Sequence, residues 1–129
     1  MKKNKGSALR YDSNKMRMEL ISPIALEDLA AVLTFGATKY QDHNWRNGMK
    51  WSRVIGSLKR HLNSIEKGED VDPESGMLHI GHLLCNAMFL SEYYRTQPEL
   101  DDRYKVATIS IDKTNKTSKT NKQTKKKRN

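Results

Sequence analysis

The sequence holds one cysteine, three prolines and two phenylalanines in 129 residues. The lone thiol, Cys85, excludes an internal disulfide framework and a Cys-rich zinc site, and a reducing compartment is its natural setting. No run approaches the ~20 apolar residues that a membrane span requires. The N-terminus, MKKNKGSALRYD, has the charge of a signal sequence without an apolar stretch behind it. A cytoplasmic protein with no membrane association is therefore expected. Acid is scarce relative to base, with 15 Asp and Glu against 24 Lys and Arg, a formal net charge of +9. That excess is local. Residues 105–129 contain nine of the basic side chains and one of the acids, so the chain before them is close to neutral. The basic character belongs to a tail capable of non-specific nucleic-acid contact and does not mark the folded part as a nucleic-acid binder.

What is present is helical patterning. Residues 1–10 read as a polar, flexible start, residues 11–104 as one domain, and residues 105–129 as a basic, disordered tail of Lys, Thr and Asn without enough apolar residues to order it. Ser22-Pro23 is a helix opening, a capping hydroxyl before a proline. Ile24, Leu26, Leu29, Ala30, Val32 and Leu33 follow with helical period, and Gly36 is a candidate terminator, with Tyr40 as a later one. After the turn-rich QDHNWRNG, the residues Trp51, Val54, Ile55, Leu58, Leu62 and Ile65 make a second amphipathic helix, ending near Gly68. The acidic loop GEDVDPESG leads into a third helix expected to start at Glu74 or Gly76 and to run to Thr96. It is apolar on most faces, the mark of the buried member of a bundle. A short extra turn over Pro98–Tyr104 is possible, and ATISI is a weak strand signal. The expected fold is all-α: a small bundle of three main helices plus short extras. A unit of this size often completes its core by forming a homo-oligomer.

Three groups of residues can carry chemistry. On the third helix His79, His82 and Asn86 share one face. They suit either hydrogen-bonded buried polar groups or imidazoles that share a metal or a phosphate. His61 lies on the second helix, and an antiparallel hairpin centred near residue 71 would bring it opposite residue 81, towards that histidine face. The loop supplies Glu66, Glu69, Asp70, Asp72 and Glu74, hard oxygen ligands suited to Mg²⁺ or Mn²⁺, or simply a solvated loop before a helix N-terminus. The third group is Lys39, Tyr40, Asn44, Trp45 and Arg46. It offers cations for phosphate and aromatic faces for a base, although Tyr40 and Trp45 serve equally well as packing residues. Lys15 and Arg17 are weaker candidates of the same kind.

In order, the motifs are K-x-R-x-x-L-I-x-P (Lys15 to Pro23), G-A-x-K-Y-x-x-x-N-W (Gly36 to Trp45), R-H-L (Arg60 to Leu62), G-E-D-x-D-x-E-S-G-x-x-H-x-x-H (Gly68 to His82) and N-A-x-F-L (Asn86 to Leu90). Together they resemble the phage and bacterial dATP/dGTP diphosphohydrolase N-terminal domain family, which is related to MazZ-type enzymes and to the MazG-like all-α NTP pyrophosphohydrolases. The resemblance implies metal-dependent cleavage of a purine deoxynucleoside triphosphate to monophosphate and pyrophosphate, with Mg²⁺ or Mn²⁺, in phage nucleotide-pool metabolism within a bacterial or phage-infected host cytoplasm. The sequence departs from the MazG-like pattern, which places carboxylates as E-x-x-E and E-x-x-D on successive helices. Here those helices carry Arg60-His61 and His79-x-x-His82, so that ligand set does not transfer.

On this reading the metal ligands come from Glu69, Asp70, Asp72, His79 and His82, with Glu66 and Glu69 beside them as catalytic carboxylates. His61 is the base, or the group that orients it. Arg60 and Lys39 offset charge on the leaving pyrophosphate. Trp45 or Tyr40 stacks on the base, and Lys15 and Asn44 complete the substrate contacts. The rival readings are a nucleic-acid-binding accessory protein acting through its tail and a nucleotide sensor without turnover. A histidine–metal phosphohydrolase of the HD type is disfavoured, because no His-Asp dipeptide occurs.

Overall fold

The computed structural model describes residues 5–107. Three helices make the fold: α1 (Pro23–Lys39), α2 (Trp51–Glu66) and α3 (His79–Thr96). Short 3₁₀ turns lie at Met18–Leu20, Asn44–Asn47 and Pro98–Leu100. No strand is present among the described residues, and the ATISI segment lies outside them from Thr108 onward, as does most of the basic tail. No described helix is long and apolar enough to cross a membrane.

The Ser22 side chain accepts the Ala25 N–H at 3.2 Å, with Pro23 in the first turn. This satisfies one of the backbone donors that every helix start leaves free. Gly36 does not end α1. An interior glycine costs only about 1 kcal/mol relative to alanine, and the helix continues to Lys39. There it stops as Tyr40 turns extended, its N–H still bonded to the Gly36 carbonyl at 2.9 Å.

The start of α2 has no local side-chain cap. Its cap comes from far along the chain. Asp102 accepts the Ser52 N–H at 2.8 Å through Oδ1 and the Ser52 hydroxyl through Oδ2. The segment after α3 is held there by Arg103, paired with Asp101 at 2.9 Å and stacked over the Trp51 ring at 4.8 Å.

Helix α3 packs against both α1 and α2, as its apolar circumference requires. Against α1 the approach is close. A Cβ on Gly81 would lie 3.1 Å from Val32 Cγ2 and 3.2 Å from the Asp28 carbonyl oxygen. Against α2 the core centres on Trp51, Val54 and Tyr93, with Trp45, Met49, Phe89, Leu90 and Leu100 packed around them. Its buried polar tips are satisfied, Trp51 Nε1 donating to the Gln97 carbonyl at 3.0 Å and the Tyr93 hydroxyl to the Trp45 carbonyl.

The third helix begins at His79, later than its sequence pattern predicts. Residues 70–78 fold back on themselves first. The Asp72 N–H bonds to the Met77 carbonyl at 2.7 Å and the His79 N–H to the Asp70 carbonyl at 2.9 Å, around an antiparallel bridge between Val71 and Leu78. Gly76, at φ 73°, supplies the left-handed residue that this reversal needs.

Candidate functional site: a histidine trio flanked by two carboxylates

The tight reversal between α2 and α3 makes the two helices an antiparallel hairpin, and this brings three histidines together. His61 Nδ1 lies 2.8 Å from His79 Nδ1. The His61 ring stacks on His82 with centroids 4.5 Å apart and planes 4° from parallel. His79 is buried, 3% exposed. Two loop carboxylates flank the trio: Glu69 Oε1 stands 2.9 Å from His79 Nε2, and Asp72 Oδ2 stands 3.4 Å from His82 Nε2.

Donor and acceptor chemistry fixes the protons in this network. An ionised carboxylate only accepts, so His79 Nε2 carries the hydrogen that faces Glu69. A neutral His79 then accepts at Nδ1, and His61 must donate from its own Nδ1. This leaves the lone pair of His61 on Nε2. The second chain resolves in the same way. Ser75 gives its one hydroxyl proton to Asp72 at 2.8 Å, so at 2.7 Å it accepts from His82 Nε2. Ser75 Oγ also receives the Met77 N–H at 3.2 Å.

For His61 and His82 the electrostatics favour the neutral form. Burial, then His82 and His79, hold the His61 pKa below the usual histidine value. Burial likewise lowers His82, against the opposing pull of Asp72. Burial alone would raise Asp72, but bonds from the Ser75 hydroxyl and from the Glu74 and Ser75 N–H groups outweigh it and keep the carboxyl low.

Of the residues singled out in the sequence, the structure gathers His61, His79, His82, Glu69 and Asp72. Glu66 is exposed at the end of α2, and Asp70 contributes its backbone carbonyl. Lys39, exposed at the end of α1, pairs with Glu74 at 2.8 Å. Arg60 folds back along α2 beside Gly56. Trp45 is a packing residue here, stacked on Phe89 at 4.7 Å with the Arg46 guanidinium 4.8 Å from its ring. Tyr40 and Asn44 are exposed. Lys15 lies apart, in a hollow of about 340 Å³ that Arg10, Arg17 and Glu19 also line. Sequence reading missed Ser75, although an Asp three positions before a Ser is the spacing of a side-chain-capped turn. It also missed the bond from Asn86 Nδ2 to Ser57 Oγ at 3.1 Å, which ties α3 to α2 beside the site.

Four of the five residues expected to share a metal stand as two pairs, Glu69–His79 and Asp72–His82, with the Asp70 side chain outside both. Among the described residues no three His, Cys, Asp or Glu side chains form a group that would hold a metal ion. Their chemistry still fits a magnesium-like ion carried by substrate, which keeps its waters and takes one or two carboxylates with phosphate oxygens.

Fold and site together define a small all-α domain with a polar histidine–carboxylate centre. Residues 5–103 match the family described as dATP/dGTP diphosphohydrolase, N-terminal, and the chain belongs to that family. It is 35% identical over 103 residues to a dATP/dGTP diphosphohydrolase of Salmonella phage PMBT28, a match covering 80% of this chain and 35% of that protein. The chain thus spans about a third of that relative's length. No solved structure matches it.

Proposed function

We propose that this chain hydrolyses purine deoxynucleoside triphosphates, dATP and dGTP, to the monophosphate and pyrophosphate, and that the histidine–carboxylate centre is where it does so. The observation that carries the reading is the chain Glu69–His79–His61, which leaves an imidazole lone pair on His61 Nε2. Family membership and the name of the phage relative support the substrate class.

In this reaction water attacks the α-phosphorus, the bond to the β-phosphate oxygen breaks, and pyrophosphate leaves. The water's proton goes to His61 Nε2, which is unprotonated at neutral pH because burial and its two histidine neighbours depress its pKa. Glu69 and His79 hold the His61 ring in the tautomer that the step requires. Lys39, positively charged and exposed beside Glu74, is a cation for the departing phosphates. Mg²⁺ or Mn²⁺, held by Glu69 and Asp72, would neutralise triphosphate charge and polarise the phosphoryl group.

Support for the alternative, nucleic-acid contact through the tail, is the charge of residues 105–129. One experiment addresses both. Pyrophosphate release is measured across dNTPs and NTPs with Mg²⁺ or Mn²⁺, for wild type, His61→Ala, Glu69→Ala and a chain ending at Tyr104. The expected result is release from dATP and dGTP, reduced ~10²–10⁴-fold in His61→Ala and unchanged by truncation. No release from any nucleotide by folded wild type would remove the enzyme reading. A truncated chain that keeps hydrolysis but loses salt-sensitive DNA retention would give the tail its own role.

A further inference from the structure

The charges of the described chain are balanced in number but unevenly placed. Residues 5–107 hold fourteen basic and fourteen acidic side chains, yet Lys50 to Lys67 carry five of the basic ones and a single acid, Glu66. Helical geometry gathers them further. At 3.6 residues per turn, positions seven apart return to nearly the same side of a helix. Arg53, Arg60 and the C-capping Lys67 therefore form one line along α2, turned away from the buried Trp51 and Val54. The line is about 21 Å long at a rise of 1.5 Å per residue. All three residues are exposed, as is Lys59 on their flank. None of these four makes an ion pair among the described residues. Lys50 is different, since it acts on Asp102.

Helix stability does not account for this face. Acids favour the start of a helix and cations its end, yet the first turn of α2 has no acid and holds Arg53. Exposed helix faces gain from opposite charges four residues apart, but the partners of Arg53 and Arg60 at that spacing are Ser57 and Ser64. Gly56 leaves room for the Arg60 guanidinium, whose Nη1 lies 3.2 Å from where a Cβ would stand. That draws its charge back along the helix towards Arg53.

We propose that this solvent face of α2 is a docking surface for the phosphate backbone of a nucleic-acid duplex, bound without regard to sequence. Three observations select this occupant. Cations in single file follow an extended polyanion, here about six steps of ~3.4 Å along one strand of a duplex. A free triphosphate calls instead for cations that converge on one point. The face also lacks aromatic side chains, with Gly56 and Asn63 lying between the cations, so it has no platform on which single-stranded bases would stack. Finally, the second basic element of the chain starts from the same helix. Asp102 is bonded to Ser52 and Arg103 is stacked on Trp51 in the first turn of α2, and the nine basic side chains of residues 105–129 follow directly. A lipid surface fits less well, because a helix lying on a membrane needs its apolar side free, and that side of α2 is packed against α3. The assignment gives the folded domain a binding role beyond the charge of its tail, and it does not depend on the proposed hydrolysis.

The test is fluorescence anisotropy of a labelled, mixed-sequence DNA duplex titrated with the full-length chain between 50 and 200 mM salt. The variant Arg53→Gln/Arg60→Gln/Lys67→Gln is compared with Lys5→Gln/Arg10→Gln/Arg95→Gln, which removes the same charge from exposed positions elsewhere. Circular dichroism checks that both keep their helix content. Each lost phosphate contact flattens the slope of log affinity against log salt by ~0.9, so the α2 variant should lose about 40-fold less affinity than wild type across that salt range. It should also bind more weakly at 50 mM. The tail is intact in every chain, so the difference reports α2, and the control should keep the wild-type slope. No duplex binding by wild type at 50 mM overturns the proposal. So does a wild-type slope in the α2 variant, which would leave binding to the tail, and so do equal changes in both variants, which would reduce the effect to net charge. Tighter binding to a single strand of the same length, or to anionic vesicles, would assign the face to another partner and overturn it equally.

Discussion

Two glycines in helix interiors should respond oppositely to the same added methyl group. Alanine is better than glycine in a helix by about 1 kcal/mol, through backbone entropy. At Gly36 in α1 a Cβ meets nothing within 4 Å, so Gly36→Ala should stabilise by about that amount. At Gly81 in α3 the Cβ would stand 3.1 Å from Val32 Cγ2 and 3.2 Å from the Asp28 carbonyl oxygen, inside the ~3.5–4.0 Å of comfortable contact between carbons. Neither neighbour yields easily, since Val32 is buried and the Asp28 oxygen belongs to the α1 backbone. Overpacking of this kind costs ~1–3 kcal/mol, which outweighs the helix gain and leaves Gly81→Ala destabilised by about 1 kcal/mol. Gly81→Val adds two further carbons and should cost about 3 kcal/mol or more. The assay is urea denaturation at one fixed protein concentration, because any self-association adds concentration-dependent stability. With a urea slope of ~1–3 kcal/mol/M, the midpoints of the two alanine variants should move apart by about 1 M. A rise in both would refute the close α1–α3 crossing, because Gly81 would then be only a weak helix residue.

Three further outcomes follow from the same geometry. Asp102→Ala removes the cap of α2 and should cost about 1 kcal/mol in the same denaturation assay, the ordinary worth of a helix cap; a loss shared by Ser52→Ala, and not added to it in the double variant, would identify the pair. Cys85 is buried, and burial pushes its thiol up to about 11, so alkylation at pH 8 should be absent in native protein and complete in denaturant; rapid native alkylation would contradict the packing. His61 and His82 have folded pKa values below the unfolded one, so the unfolded chain takes up protons first as pH falls. Stability should therefore be full above the ordinary histidine pKa of about 6.5 and decline below it, a slope that His61→Asn should flatten when urea midpoints are compared from pH 8 to pH 5.

Local chemistry was readable from the sequence, and long-range chemistry was not. Ser22-Pro23 announces α1 because a cap and its target lie within one turn. The meeting of His61 with His79 and His82 follows from hairpin arithmetic, since antiparallel helices pair residues equidistant from their connection. The cap of α2 was invisible, because Asp102 reaches Ser52 across fifty positions of sequence. The start of α3 was misplaced by several residues. Asp72 binds the N–H groups of Glu74 and Ser75, so these residues form a turn where the sequence suggested a helix. Trp45 had two equal readings, packing or stacking on a nucleotide base. Its stack on Phe89 depends on the tertiary approach of α3, which no local pattern encodes.

The loop between α2 and α3 is as much a part of the centre as the helices are. The histidines stand on rigid helices, but the positions of their protons are set by Glu69 and by Asp72 acting through Ser75. A loop substitution can therefore change which nitrogen bears a proton without moving a ring. The rings also constrain one another. With His61 stacked on His82 at 4.5 Å and on hydrogen-bond terms with His79, one imidazolium in the trio raises the cost of a second. A proton taken up by His61 enters at Nε2, because its Nδ1 is engaged with His79. In the proposed reaction the attacking water gives up one proton, and the His61 Nε2 lone pair is the acceptor the network leaves for it.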